Sequence, residues 1–170
     1  QADLLERIDA AERSAAEKPV VQELPNGEAR ITSPLTVMRD VARENESFNE
    51  SFVAADSNGD DVPDRNVGEL YDELYEVAPD RAAGVVHRED GEYVAVRMTV
   101  AIEGGADGDA VTEQMRAVAA DLDDGGLAAT ATGSVVLNKI VQDELLDTVV
   151  QSLVITLVAT FLFLMVAYRL

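Results

Sequence analysis

Cysteine and tryptophan are both absent from the 170 residues, and histidine occurs once, at His87. Without a thiol the chain can form no disulfide framework, no thiolate metal site and no cysteine nucleophile. A lone imidazole does not supply the several ligands on which most zinc sites rest. Basic residues are scarce as well: 13 against 33 acidic ones, 11 of them arginine, with Lys18 and Lys139 the only lysines. No Lys or Arg run is available to track a phosphate backbone, which argues against nucleic acid as a partner. The serines stand in no nucleophile-elbow sequence, and Gly104-Gly105 lacks the third glycine and the lysine of a phosphate loop. The expectation is therefore a protein that is not an enzyme and holds no organic cofactor.

Carboxylate is present in excess. The formal charge of −20 would be self-repelling in dilute buffer, but at about 1 M salt the Debye length falls to roughly 3 Å and neighbouring carboxylates are screened. This is a surface suited to concentrated salt, where carboxylates serve chiefly to hold water. The length suits one domain with a real core and leaves little room for a second. Gln1 is not a start residue, and residues 1–18 lack the basic and apolar regions of a signal peptide, so the chain is expected to be a piece of a longer one.

The other end is strongly apolar. From Leu153 to Tyr168 no residue is charged, and extension back to Thr148 gives about 20 residues, enough to cross a hydrocarbon layer of roughly 30 Å. Tyr168 and Arg169 follow this stretch, whereas Asp143, Glu144 and Asp147 precede it. That arrangement suits an interfacial aromatic and the positive-inside rule. It predicts a protein of the cell membrane, with the acidic domain on the extracytoplasmic side and a span over about residues 148–168.

Leu4, Ile8, Ala11 and Ala15 recur at helical spacing until Pro19, predicting an N-terminal helix over 1–18 that leads in from a preceding segment. Val20 to Leu24 and Ala29 to Thr32 flank the turn Pro25-Asn26-Gly27 and predict a broken or paired strand. Ser33-Pro34 then starts a helix with Leu35, Met38, Val41 and Ala42 on one face, ending near Asn45. The stretch 46–65 is polar and predicts a loop; Val67, Leu70, Tyr71, Leu74 and Val77 mark a helix ending before Pro79. Residues 82–88 and 92–102 predict strands about an Asp90-Gly91 hairpin turn, with Val94, Val96, Met98, Val100 and Ile102 on one face and Tyr93, Arg97 and Thr99 on the other. Val111, Met115, Val118 and Leu122 form the stripe of a core-facing helix, ended by 123–126. Leu127 to Thr132 predicts a last strand, and Gly133-Ser134 leads into a helix over 135–170 that no Pro or Gly interrupts. With the first helix set aside, the order is βαββαβ. This predicts an α+β domain over 19–134, a ferredoxin-like sandwich, followed by a long helix that becomes a transmembrane span.

A βαββαβ unit ending in Thr132-Gly133-Ser134-Val135-Val136-Leu137, then an amphipathic helix, then a span closing on Tyr168-Arg169, resembles the porter domain of the RND superfamily. The branch it looks most like is that of the MMPL-type, patched-like exporters of haloarchaea. Ser33-Pro34-Leu35 is similar to the start of that family's first porter helix, and the similarity runs through nearly the whole chain in short motifs. The resemblance implies a domain set between the first and second membrane helices of an exporter of hydrophobic small molecules or lipids. It implies an ion gradient coupled in later helices, since Thr148 to Tyr168 holds no carboxylate, Lys or His. It leaves open whether the domain works singly or as a homo-oligomer. Two alternatives stand beside it: a single-span membrane-anchored calcium-binding or sensor domain, and a protein-secretion auxiliary of the same superfamily.

The calcium alternative rests on residues 56–64. Asp56, Asn58 and Asp60 occupy the first, third and fifth positions of a calcium loop, the carbonyl of Val62 the seventh, and Asp64 the ninth. A hard cation wants several oxygens converging from a short turning segment. Asp61 stands where glycine is usual, however, and Val67 where a bidentate Glu is expected, so an ordinary solvated loop is the rival. Tyr71 and Tyr75, four apart on one helix, could line a hydrophobic path or simply pack in the core.

Overall fold

The chain, as a computed structural model describing residues 2–123 and 128–168, forms two units, one through residue 130 and one from residue 131. It is a helix-rich mixed structure with small sheets and one long C-terminal apolar helix. Helix α1 spans Ala2–Ala16 and ends ahead of Pro19. Helix α2 spans Pro34–Glu44, and its start follows from three residues. The Ser33 hydroxyl accepts from the amides of Leu35 (3.0 Å) and Thr36 (3.1 Å), the Thr36 hydroxyl accepts from the Ser33 amide (2.7 Å), and Pro34 supplies a pre-set φ at the first helical position.

The segment 46–65 is not all loop. Helix α3 occupies Glu46–Ala55, with the Asn45 side chain accepting from the Phe48 amide at 3.0 Å. Phe48, Phe52 and Ala55, at helical spacing, are buried and drive it. Helix α4 spans Val67–Val77 and α5 spans Pro79–Val85, so the first half of the strand expected at 82–88 is helical. Pro79 opens α5 rather than merely closing α4.

Strands β2 (Val86–Glu89) and β3 (Glu92–Val96) form the hairpin about Asp90-Gly91, both in positive φ. His87 pairs with Ala95 and Arg88 with Tyr93, which leaves Val94 as an extra, unpaired residue. This bulge splits the expected face: Val96 packs on the core and Tyr93 joins it there, while Val94 is 53% exposed. Past Arg97 and Met98 the chain resumes as β4 (Thr99–Val100), antiparallel to β1 (Ile31–Thr32), with isolated bridges joining Val21 to Ile102 and Glu23 to Ala29. Among the described residues, two two-stranded pieces thus stand where one antiparallel sheet was expected. Residues 128–132 are not a strand, and Leu127, the helix-ending stretch 124–126 and Arg169 lie outside the described residues.

Helix α6 spans Gly108–Asp123, with Asp107 accepting from the amides of Asp109 (3.1 Å) and Ala110 (3.0 Å) at its start. The main core gathers Leu5, Leu35, Met38, Phe48, Tyr71 and Leu74, all at most 1% exposed. A smaller one sets Ala11 and Ala15 of α1 and Val118 of α6 against Ile31, Met98 and Val100. Helix α1 therefore serves both, with Leu5 and Ile8 in the first and Ala11 and Ala15 in the second. In the other unit, α7 runs unbroken from Ser134 to Ala167, 34 residues or about 51 Å at 1.5 Å per residue.

Candidate functional site

The acidic loop after α3 is anchored from both sides. The Ala55 carbonyl accepts from the amides of Asp64 (2.9 Å) and Arg65 (3.0 Å), and Val62 is buried in the main core. Within this frame the candidate ligands turn toward the backbone. Asp56 Oδ1 accepts from the amides of Asn58 (3.2 Å) and Gly59 (2.8 Å), and its Oδ2 from that of Asp61 (2.9 Å). Asp60 accepts from the Val62 amide (3.0 Å) and from the Asn58 side chain (3.0 Å), while Asn58 Oδ1 accepts from the Asp60 amide (3.1 Å). Asp64 accepts from the amide and the hydroxyl of Ser57. Desolvation acts to raise the Asp56 carboxyl, but the amides of Gly59, Asp61, Asn58 and Asp60 outweigh it and hold it below the usual range. The Ser57 hydroxyl and amide do the same for Asp64, aided by Arg65 and against slight desolvation and the Asp56 charge. The loop is thus closed by its own Asx turns. Among the described residues no three His, Cys, Asp or Glu side chains are grouped to hold a metal ion.

A second polar cluster, which spacing alone did not single out, lies between α1 and α2. Glu12 is only 8% exposed and accepts from the Ser33 hydroxyl and from Arg39 Nη1 (3.4 Å). Arg39 also donates to Asp9 (3.0 Å) and, through Nε, to the Asp61 carbonyl (3.3 Å), and Asp9 pairs in turn with Arg13 at 2.7 Å. One arginine therefore joins α1, α2 and the acidic loop. Burial holds the Glu12 carboxyl above its usual range, against the lowering pull of Ser33 and Arg39 and with Asp9 adding to the rise. The signal in the sequence was its position: Glu12 falls on the buried stripe of Leu5, Ile8 and Ala15.

Tyr71 and Tyr75 both face the core, so neither lines an open path. Their partner is Tyr93, whose ring lies 5.0 Å from that of Tyr71 and 6.3 Å from that of Tyr75. The Tyr75 hydroxyl donates to the Val86 carbonyl and that of Tyr93 to Asp72 at 2.6 Å, while burial pushes the Tyr71 phenol up to about 12. His87 is exposed on β2. An open cleft of about 450 Å³ lies among Val41, Asn45, Val77 and Ala78, rimmed by the pair Arg81–Glu44, whose two hydrogen bonds measure 2.9 and 3.1 Å.

Helix α7 is long and apolar enough to cross a membrane, and none of its apolar window is buried. Leu153, Ile155, Leu157, Phe161, Phe163 and Val166 are each at least 61% exposed. In water such a surface would be costly, at roughly 25 cal/mol for every Å² of apolar area left wet; hydrocarbon removes that cost. Comparison with protein-family models, with curated proteins and with solved structures returns no match.

Proposed function

We propose that this chain is the extracytoplasmic porter domain of an RND-type exporter of the MMPL, patched-like branch, through which a hydrophobic or lipid-like substrate passes without covalent change. In this reading the mixed body is a reduced ferredoxin-like sandwich, the span crosses the cell membrane, and an ion gradient coupled in other helices drives the motion. The observation that carries it is the continuity of α7. A single helix with no Pro or Gly between Ser134 and Ala167 behaves as a stiff rod, so displacement of its lipid-embedded end is passed to the end that emerges beside Gly133. The capped start of α2 at Ser33-Pro34-Leu35 supports the same reading.

Continuation of the reading frame beyond Leu170 tests it. An exporter requires roughly ten further apolar stretches of about 20 residues each and a second domain with the same pattern of elements. A frame that stops soon after Leu170 overturns the proposal in favour of an anchored binding module. Within an exporter, a Pro-Gly insertion after Lys139 should abolish export while leaving the melting of the body unchanged.

A further inference from the structure

Six asparagines occur in the chain, and two of them, four residues apart, are each followed two places on by serine: Asn45-Glu46-Ser47 and Asn49-Glu50-Ser51. Asn-x-Ser with x other than proline is the acceptor pattern for N-linked glycan in secreted proteins, where it stands at the surface. The pattern by itself recurs by chance, and the fold separates its two instances. Asn45 is half-buried on the wall of the open cleft, and its Oδ1 is engaged in capping α3 through the Phe48 amide. Asn49 stands one turn further along α3 and is exposed. Its backbone amide donates to the Asn45 carbonyl at 2.9 Å, and among the described residues nothing bonds its side chain.

A second observation falls on the same turn. Val53 is 61% exposed, more than Leu24, Val77 or Val94, the other exposed large apolar side chains of the body. In a helix a side chain leans over the turn N-terminal to its own Cα, so Val53 lies beside Asn49. The C–H face of a sugar on Asn49 would cover the two valine methyls and take them out of water. The geometry also dates the modification. Residues two apart on a helix point about 200° from one another, so the Ser51 hydroxyl cannot assist the Asn49 amide once α3 has formed. The motif is readable only while this segment is still extended or turning, before Phe48 and Phe52 enter the core.

We propose that Asn49 is an N-glycosylation site, modified on the extracytoplasmic side before α3 folds. The donor is a glycan activated as the phosphate ester of a membrane lipid. Asn49 Nδ2 forms a bond to C1 of the first sugar, and the bond from C1 to the phosphate oxygen breaks. The lipid phosphate leaves with that electron pair, and one amide proton passes to a base of the membrane-bound transferase.

This inference rests on the acidic domain lying outside the membrane, and the two fail separately. Cleavage after Arg43 and Arg65 releases residues 44–65 as one peptide that holds both motifs. Prepared from the full chain in the membranes of cells that make it, that peptide should carry whole sugar units in mass spectrometry, located on Asn49 by fragmentation. Asn49→Gln and Ser51→Ala should each abolish the added mass, and Ser51→Thr should keep it. Asn45→Asp, which removes the other motif but still caps α3, should leave it unchanged. A bare Asn49, sugar on Asn45 in its place, or added mass that survives Ser51→Ala would each overturn the proposal. An impermeant thiol reagent on Ser57→Cys reads the side independently: a bare Asn49 on a domain labelled from outside removes glycosylation alone, and a domain found inside removes both conclusions.

Discussion

Substitution of Ser33 by alanine removes two things at once. The hydroxyl caps α2 by accepting from the amides of Leu35 and Thr36, and it donates to Glu12 across the α1–α2 contact. Loss of an N-cap costs about 1 kcal/mol, and loss of a buried hydrogen bond to an ionised group about 1.5–3 kcal/mol, giving a total near 2.5–4 kcal/mol. At about 2–4 °C per kcal/mol for a chain of this size, the melting temperature should fall by roughly 10 °C. The two contributions separate with pH. Glu12 has its folded pKa raised by burial, so its contribution to stability is fully present below the unfolded value and is lost as pH rises through the folded one. Without the Ser33 hydroxyl, which lowers that folded value, the rise is larger and the loss on going to neutral pH is greater. In molar potassium chloride, denaturant melts of wild type and Ser33→Ala should differ less near pH 4, where a protonated Glu12 keeps only a neutral hydrogen bond to Ser33, than near pH 7. The difference between variants cancels the titration of the other carboxylates. A penalty that is the same at both pH values would refute the coupling of Glu12 to Ser33.

Gly133 has φ 130 and ψ 165, a conformation that side-chain-bearing residues avoid, and a Cβ there would meet no neighbour. Gly133→Ala should therefore cost about 1–3 kcal/mol through the backbone alone, read as faster amide exchange over the first turn of α7. Phe48 is fully buried, and Phe48→Ala should destabilise the body by about 3–5 kcal/mol in the same melts. Arg81→Ala breaks an exposed pair with Glu44 and should leave the melting temperature nearly unchanged, in molar salt above all. With a formal charge of −20, the body should lose melting temperature steadily as potassium chloride is diluted from molar to millimolar; a melting temperature that does not move would contradict screening as the source of its tolerance.

The parts legible in the sequence were those set by one strong local rule. Ser33-Pro34 fixed the start of α2, and the want of Pro or Gly after Gly133 fixed the extent of α7. Helix α3 was missed because the Asp, Asn and Ser content of 46–65 was weighed above the spacing of Phe48, Phe52 and Ala55. Helix α5 was missed because an apolar run such as Ala82 to Val86 has the same pattern in a buried helix as in a strand, and Pro79 served equally as a stop or a start. The facing of Val94 turned on a bulge between His87 and Arg88, which alternation does not foretell. Spacing in the acidic loop showed which oxygens were near one another, but not which of the loop's own amides would bond Asp56 and Asp60.

The most direct test of the membrane reading is the side on which the acidic loop lies. Ser57 is exposed, and Ser57→Cys gives the otherwise cysteine-free chain a single thiol there. Intact cells in molar salt are treated with a membrane-impermeant maleimide, with lysed cells as the reference. A domain held outside by α7 predicts equal labelling before and after lysis; labelling that appears only on lysis would contradict it.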